Sequence, residues 1–195
     1  MHTIYNNRFG KDSVIIHPGE YYASKEDKII STILGSCVSA CMMDFENNVF
    51  GMNHFMLPGR ISDKEDYVSS ETGRYGMYAM ELLIGELLKA GAHRKNFQAK
   101  IFGGGKVLRF RHSDGDIPSS NILFAKTFFQ KEKIHVISED VGGDYGRKIL
   151  FFSRTGRVLS KKVPIRDNSA VFDEEDRYKC NLFKKKAAEQ EITLF

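Results

Sequence analysis

The chain has 195 residues, 42% hydrophobic and 28% charged, with a formal net charge of +4. That length suits one domain with a real core, or a core plus an extension, and the interleaving of basic with acidic residues gives no stripe for binding nucleic acid. No apolar run approaches the roughly 20 residues of a membrane span, and the N-terminal MHTIYNNRFGKDS lacks the apolar core of a secretion signal, which predicts a cytoplasmic protein with no direct membrane insertion.

Taken in chain order, DSVIIHPGEYYAS predicts a strand entering a turn at Pro18-Gly19, with extended chain after it. KIISTILGSCVSACMMDF is apolar nearly throughout, and Gly35-Ser36 interrupts its strand-like flanks. VFGMNHFMLP, from Val49 to Pro58, is a further extended run, and Asn47-Asn48 before it suits a hairpin turn. Residues 59–73 are polar without periodicity and predict a mobile surface loop. YGMYAMELLIGELLKAGA places Met77, Met80, Leu83, Ile84, Leu87 and Leu88 at helical spacing, with Gly91 as the stop. NFQAKIFGGGKVLRF predicts a strand running into three glycines, and SSNILFAKTFFQKEKI a second amphipathic helix capped by Ser119 or Ser120. IHVISEDVGGDYGRKILFFSRTGRVLSKKV predicts two or three strands joined by glycine-containing turns. After Ile165, acidic and basic clusters alternate with scattered aromatics, as in a terminal helix or a peripheral tail. Strands in pairs and triplets, separated by two helices, predict the α+β class.

Cys37, Cys41 and Cys180 are odd in number, and two of them lie four apart, a poor disulfide framework that predicts reduced thiols. A cysteine in an apolar strand is more often a small buried hydrophobe than a nucleophile. Gly35-Ser36 argues otherwise for Cys37, because it permits a sharp turn and a close backbone approach. If a helix follows, outward-pointing N–H groups would lower the thiol pKa and stabilise an oxyanion. Cys41 has no such neighbours and reads as core. His54, 17 positions on, is the candidate base, because two strands joined at Asn47-Asn48 would lie side by side. Ser31 and Thr32 are candidates for a hydroxyl that orients the histidine; the plainer explanation is that hydroxyl and β-branched residues suit a strand. Cys37, Cys41 and His54 lack a second pair at ligand spacing, which argues against a structural zinc site. The Gly103-Gly104-Gly105-Lys106 run fails the P-loop pattern because Val107 follows the lysine; its glycines let the backbone turn near the site or bind a substrate main chain.

LGSCVSACMMD followed by GMNHFMLP resembles the chemoreceptor glutamine deamidases, the CheD family of bacterial chemotaxis. The resemblance runs over residues 14 to 165. It continues through Tyr75 ahead of the first helix, AKIFGGGKV, IPSSN ending at Asn121 in place of the family's IGxRN, and SEDVGGDYGRK in place of EDxGGxxxR through Glu139, Asp140, Gly142, Gly143 and Arg147. It implies a layered α/β/β/α sandwich over residues 1–166, with 167–195 as an extension of unassigned role. It also implies Cys37 as nucleophile and His54 as base. The third member is a threonine in the family; ungapped counting falls on Ser31, with Thr32 beside it, and both remain candidates. Gly35, Ser36, Gly103, Gly104 and Asn121 are expected to shape the site or bind substrate. The implied reaction is hydrolysis of glutamine side-chain amides on receptor cytoplasmic helices, with methyl-ester cleavage as a side activity and no metal or organic cofactor. A CheC-type phosphatase is the implied partner, and a regulatory binding module with weak or no catalysis is the competing expectation. A general cysteine peptidase fits less well, since no peptidase motif is present.

Overall fold

The apolar run from Lys28 to Phe45 is divided at Gly35-Ser36 into two strands that belong to different sheets. The computed structural model describes residues 1–59, 70–107, 116–164, 173, 175–178 and 180–182. One sheet has the order β1 (His2–Asn6), β2 (Lys11–Ile15), β4 (Ile29–Leu34), β9 (Gly146–Phe152) and β10 (Val158–Val163). The other has the order β3 (Tyr21–Ser24), β6 (Val49–Asn53), β5 (Val38–Asp44), β7 (Gln98–Gly103) and β8 (His135–Val141). β2 with β4 and β7 with β8 are parallel pairs, so both sheets are mixed.

Alternation along β5 explains the layering. Its odd residues Cys41 and Met43 meet Ile30 and Leu34 of β4 and Ile149 and Phe151 of β9 in a core between the sheets. Its even residues Val38, Ala40 and Met42 face the other way, toward α1 (Glu71–Lys89) and α2 (Ile117–Lys131). A strand covered on both faces reads as a continuous apolar run, which is how VSACMMD reads. Met80, Leu83, Ile84 and Leu87 of α1 and Phe124 and Phe128 of α2 fill this second core, each contributing roughly 1.5–3 kcal/mol by leaving water. The result is an α+β sandwich of two packed sheets with helices outside, as expected from the sequence. Both long helices cover the second sheet. Among the described residues no helix is long and apolar enough to cross a membrane.

Three local expectations need correction. The loop expected over 59–73 ends early: Ser70 caps α1, its side chain accepting from Gly73 N, so 71–73 are helical and Tyr75 lies inside the helix rather than ahead of it. Residues 60–69 fall outside those described. Asp116, not Ser119 or Ser120, caps α2 and accepts from Ser119 N, with a proline in the first turn where its fixed φ suits the helix. No helix follows Cys37; the chain enters β5 directly. Of the two expectations for the chain after Ile165, the described residues meet the terminal helix: 175–178 and 180–182 are helical, and Leu182 is buried in the core between the sheets.

Candidate active site

Residues 35–37 carry the chain from one sheet to the other, and this crossing builds the site. Three backbone carbonyls there are held from behind. Gly104 N donates to Cys37 O at 2.7 Å, Gly105 N to Gly35 O at 2.7 Å, and Asn121 Nδ2 to Ser36 O at 2.9 Å. With the carbonyls fixed, the N–H groups of Gly35, Ser36 and Cys37 turn toward one point. A set of converging amides of this kind is an anion-binding concavity that needs no helix. Asn121 is fully buried and also accepts from Leu57 N at 2.8 Å, so it clamps the crossing to the segment after His54. Gly103 and Gly104 sit at φ +107° and +66°, and a Cβ at Gly103 would collide with the Cys37 carbonyl. At these glycines the backbone turns close behind Cys37. Asn121 likewise lies behind the crossing, bonded to Ser36 O and Leu57 N.

His54 follows β6, and its main chain is tied down: His54 N donates to Glu20 O at 2.9 Å, and Gly19 N to His54 O at 2.7 Å. The Pro18-Gly19 turn read from the sequence is what makes this contact. Phe55 pairs with Val38 in an isolated antiparallel bridge, which sets His54 beside Cys37. Thr32 Oγ1 donates its one proton to Ile16 O at 2.8 Å. The 2.8 Å contact from Thr32 Oγ1 to His54 Nδ1 must therefore be accepted by the hydroxyl, which places a proton on Nδ1. His54 Nε2 is buried and without a hydrogen-bond partner among the described residues. Ser31 precedes Thr32 on β4 and so leaves the sheet on the opposite face. Of the two candidate hydroxyls, only Thr32 reaches the histidine.

The fourth member comes from far along the chain. Glu175 is fully buried, and its carboxylate fills the concavity. Oε1 accepts from Gly35 N at 2.7 Å and Cys37 N at 3.4 Å; Oε2 accepts from Ser36 N at 2.8 Å and Ser36 Oγ at 3.0 Å. Oε1 lies 3.6 Å from His54 Nε2, an ion-pair separation rather than a hydrogen bond. Burial alone would raise the Glu175 pKa, but the neighbouring His54 ring, the Gly35 amide and Cys37 together hold it below the ordinary carboxylate value. The Cys37 sulfur, a His54 ring nitrogen and a Glu175 oxygen lie within 4.8 Å of one another. Sulfur, nitrogen and oxygen in this arrangement could accept a zinc ion, although here both carboxylate oxygens already accept from amide donors. Cys41 takes no part, and burial pushes its thiol pKa far up, as expected of a core residue.

Sequence reasoning missed Glu175. The signal available was the spacing of Glu175, Tyr178 and Leu182, one face of a helix within a stretch that otherwise reads as mixed charge. Arg147 and Asp140 of the EDxGGxxxR stretch form an ion pair at 2.9 Å, with the Arg147 guanidinium 4.4 Å above the Tyr145 ring. Lys106 N donates to Gly143 O and Gly142 N to Gly103 O, so this stretch props up the glycine turn behind Cys37. A cleft of about 430 Å³ between Arg8, Phe9, Lys148 and Lys161 includes none of the residues around the thiol.

The family model described as CheD chemotactic sensory transduction matches residues 56–162. A protein of Methylobacillus flagellatus is 45% identical over 98% of this chain and 93% of its own length. One of Laribacter hongkongensis is 44% identical over 92% of this chain and 86% of its own. One of Janthinobacterium sp. is 42% identical over 98% and 93%. Each of the three carries the name "Probable chemoreceptor glutamine deamidase CheD".

Proposed function

The chain belongs to the CheD family, and from that premise we propose that it hydrolyses glutamine side-chain amides on the cytoplasmic helices of chemoreceptors, with Cys37 as nucleophile. The observation that carries this reading is the convergence of the Cys37 sulfur, the buried His54 ring and three backbone N–H groups on one site. His54 Nε2 takes the thiol proton, and the thiolate attacks the amide carbon. The N–H groups of Gly35, Ser36 and Cys37 receive the oxyanion, an interaction worth about 2.7–4 kcal/mol for a single donor in comparable sites. His54 then protonates the leaving nitrogen, ammonia departs, and a thioester remains. A water molecule, deprotonated by His54, attacks the thioester and releases glutamate. A γ-methyl ester presents the same carbonyl with methanol as leaving group, so methylesterase side activity follows from the same machinery.

The reading is tested with a purified receptor cytoplasmic fragment by measuring ammonia release and the gain of negative charge at its glutamines. Ammonia appearing in step with new glutamates is the expected result; a fragment that gains no charge overturns it. The occupied amide site favours a second reading, a regulatory module engaging a CheC-type phosphatase. Stable binding of such a phosphatase by a chain that never deamidates would support that reading instead.

Thr32→Val should lower kcat on the fragment roughly 10-fold to 100-fold. It leaves a buried Nδ1–H without an acceptor, at about 1–3 kcal/mol, and each 1.36 kcal/mol is tenfold in rate. Ser31→Ala should change kcat less than about threefold, because its side chain lies on the other face of β4. Equal losses in the two variants would remove Thr32 from the mechanism.

A further inference from the structure

We propose that the amide concavity of residues 35–37 is a binding site for the deamidated product, and that the helical residues 175–178 and 180–182 of this same chain are its resident occupant. The proposal rests on the deamidase reading above. The γ-carboxylate of Glu175, on a helix, is the chemical group that hydrolysis of a helix-borne glutamine would leave behind. Its two oxygens accept from four donors, three of them backbone N–H groups that cannot accept in turn. A carboxylate satisfies four donors, whereas a carboxamide must turn two N–H groups of its own toward them. The site therefore holds a glutamate side chain better than a glutamine.

Two further contacts show that the segment is docked through one face. Tyr178, three residues on, donates to or accepts from Tyr75 at 2.6 Å, and its ring lies where Gly19 would carry a Cβ. Leu182, seven residues on, is buried in the core between the sheets. Asp173, Asp176, Arg177, Cys180 and Asn181 are exposed. Position 19 is at φ +85°, which favours glycine, and the missing side chain leaves the berth for Tyr178. The recess beside His54, walled by Tyr75, Tyr78 and Tyr178, is about 80 Å³, well below the roughly 300 Å³ at which ligand pockets begin. With the segment in place there is no room for an incoming glutamine. Being tethered, the segment competes at an effective concentration on the order of millimolar. Substrate must displace it, and Glu175, Tyr178 and Leu182 set the strength of that competition.

The test uses the full chain carrying Glu175→Gln, which converts the occupant into an intramolecular substrate. Cys37 sulfur bonds to the side-chain carbon of residue 175, the carbonyl electron pair moves to oxygen, and collapse expels ammonia with a proton from His54. Water then replaces sulfur, its proton returns through His54 to the thiolate, and residue 175 becomes glutamate. Peptide mapping should find residue 175 gaining one negative charge at a rate independent of protein concentration, and not in the double variant with Cys37→Ala. In parallel, Glu175→Ala and Tyr178→Ala should lower KM for the receptor fragment and speed alkylation of Cys37 by iodoacetamide, each at least tenfold. A residue 175 that stays an amide in a preparation that deamidates the receptor fragment overturns the proposal and leaves the deamidase reading standing. If nothing is deamidated by any variant, the deamidase reading fails, and the alkylation rates decide occupancy alone: faster in both tail variants supports it, and unchanged in both overturns it.

Discussion

Cys37→Ala should lower ammonia release from the receptor fragment by about 10⁴-fold or more, and His54→Gln by a similar factor. Groups that act as one unit lose most of their effect when any one of them is removed, and the remaining rate comes from binding and oxyanion stabilisation. The double variant should therefore be little slower than either single one. The fold should survive. Cys37 contributes one small apolar atom group to the core between the sheets, and its backbone keeps the bonds from Gly104 N and to Glu175. Glutamine at 54 retains length and polarity, and the backbone bonds with Glu20 and Gly19 remain. Urea midpoints near that of the parent would show that lost turnover is lost chemistry. Rates within tenfold of the parent for Cys37→Ala would mean that another group attacks the amide. Multiplying losses in the double variant would mean that Cys37 and His54 act apart.

The closeness of Cys37 and His54 was legible because its signals are local. Gly-Ser before Cys37 marks a turn, Asn47-Asn48 marks a hairpin (Asn48 has φ +54°), and a hairpin places what lies beyond it side by side. The choice between Ser31 and Thr32 was not legible, since adjacent strand residues differ only in which face they take, and that is fixed by pairing with β9, more than a hundred residues on. Counting from the cysteine fell on Ser31, whereas the hydroxyl in contact with His54 is that of Thr32 beside it. The amide concavity was expected from a helix after Cys37; it arises instead from three carbonyls tied back by Gly104, Gly105 and Asn121, partners scattered through the chain. Glu175 was hidden for a different reason. An acidic run reads as a solvated surface, and only the packing of Tyr178 on Gly19 and of Leu182 in the core turns it inward. Similarly, Ser70 and Asp116 cap their helices because side-chain acceptors outweigh the poor helix formers beside them.

Gly103→Ala should destabilise the protein by about 3 kcal/mol or more, and should cost activity even at temperatures where the variant is folded. Two effects add. A φ of +107° lies beyond the left-handed region that other residues visit, a strain of about 1–3 kcal/mol. The new methyl would also strike the Cys37 carbonyl oxygen, a backbone atom already bonded to Gly104 N, so relief requires moving the nucleophile itself. In a chain of this size, 3 kcal/mol corresponds to a fall in Tm of about 6–12 °C. Gly104→Ala should cost less, because φ +66° is within reach of other residues and its closest clash is with the Ile122 side chain rather than with a backbone atom. Ile122 is stiff inside α2 and the Pro118 carbonyl is also near, so the variant is still destabilised. Gly85→Ala should stabilise by about 0.5–1 kcal/mol, since it lies inside α1 with open space around it. The order Gly103, Gly104, Gly85 from most to least harmful is what the geometry requires. A Gly103→Ala variant with the parent's melting temperature and turnover would show that the glycine turn does not press against the crossing, and the account of how the three amides are aimed would fall with it.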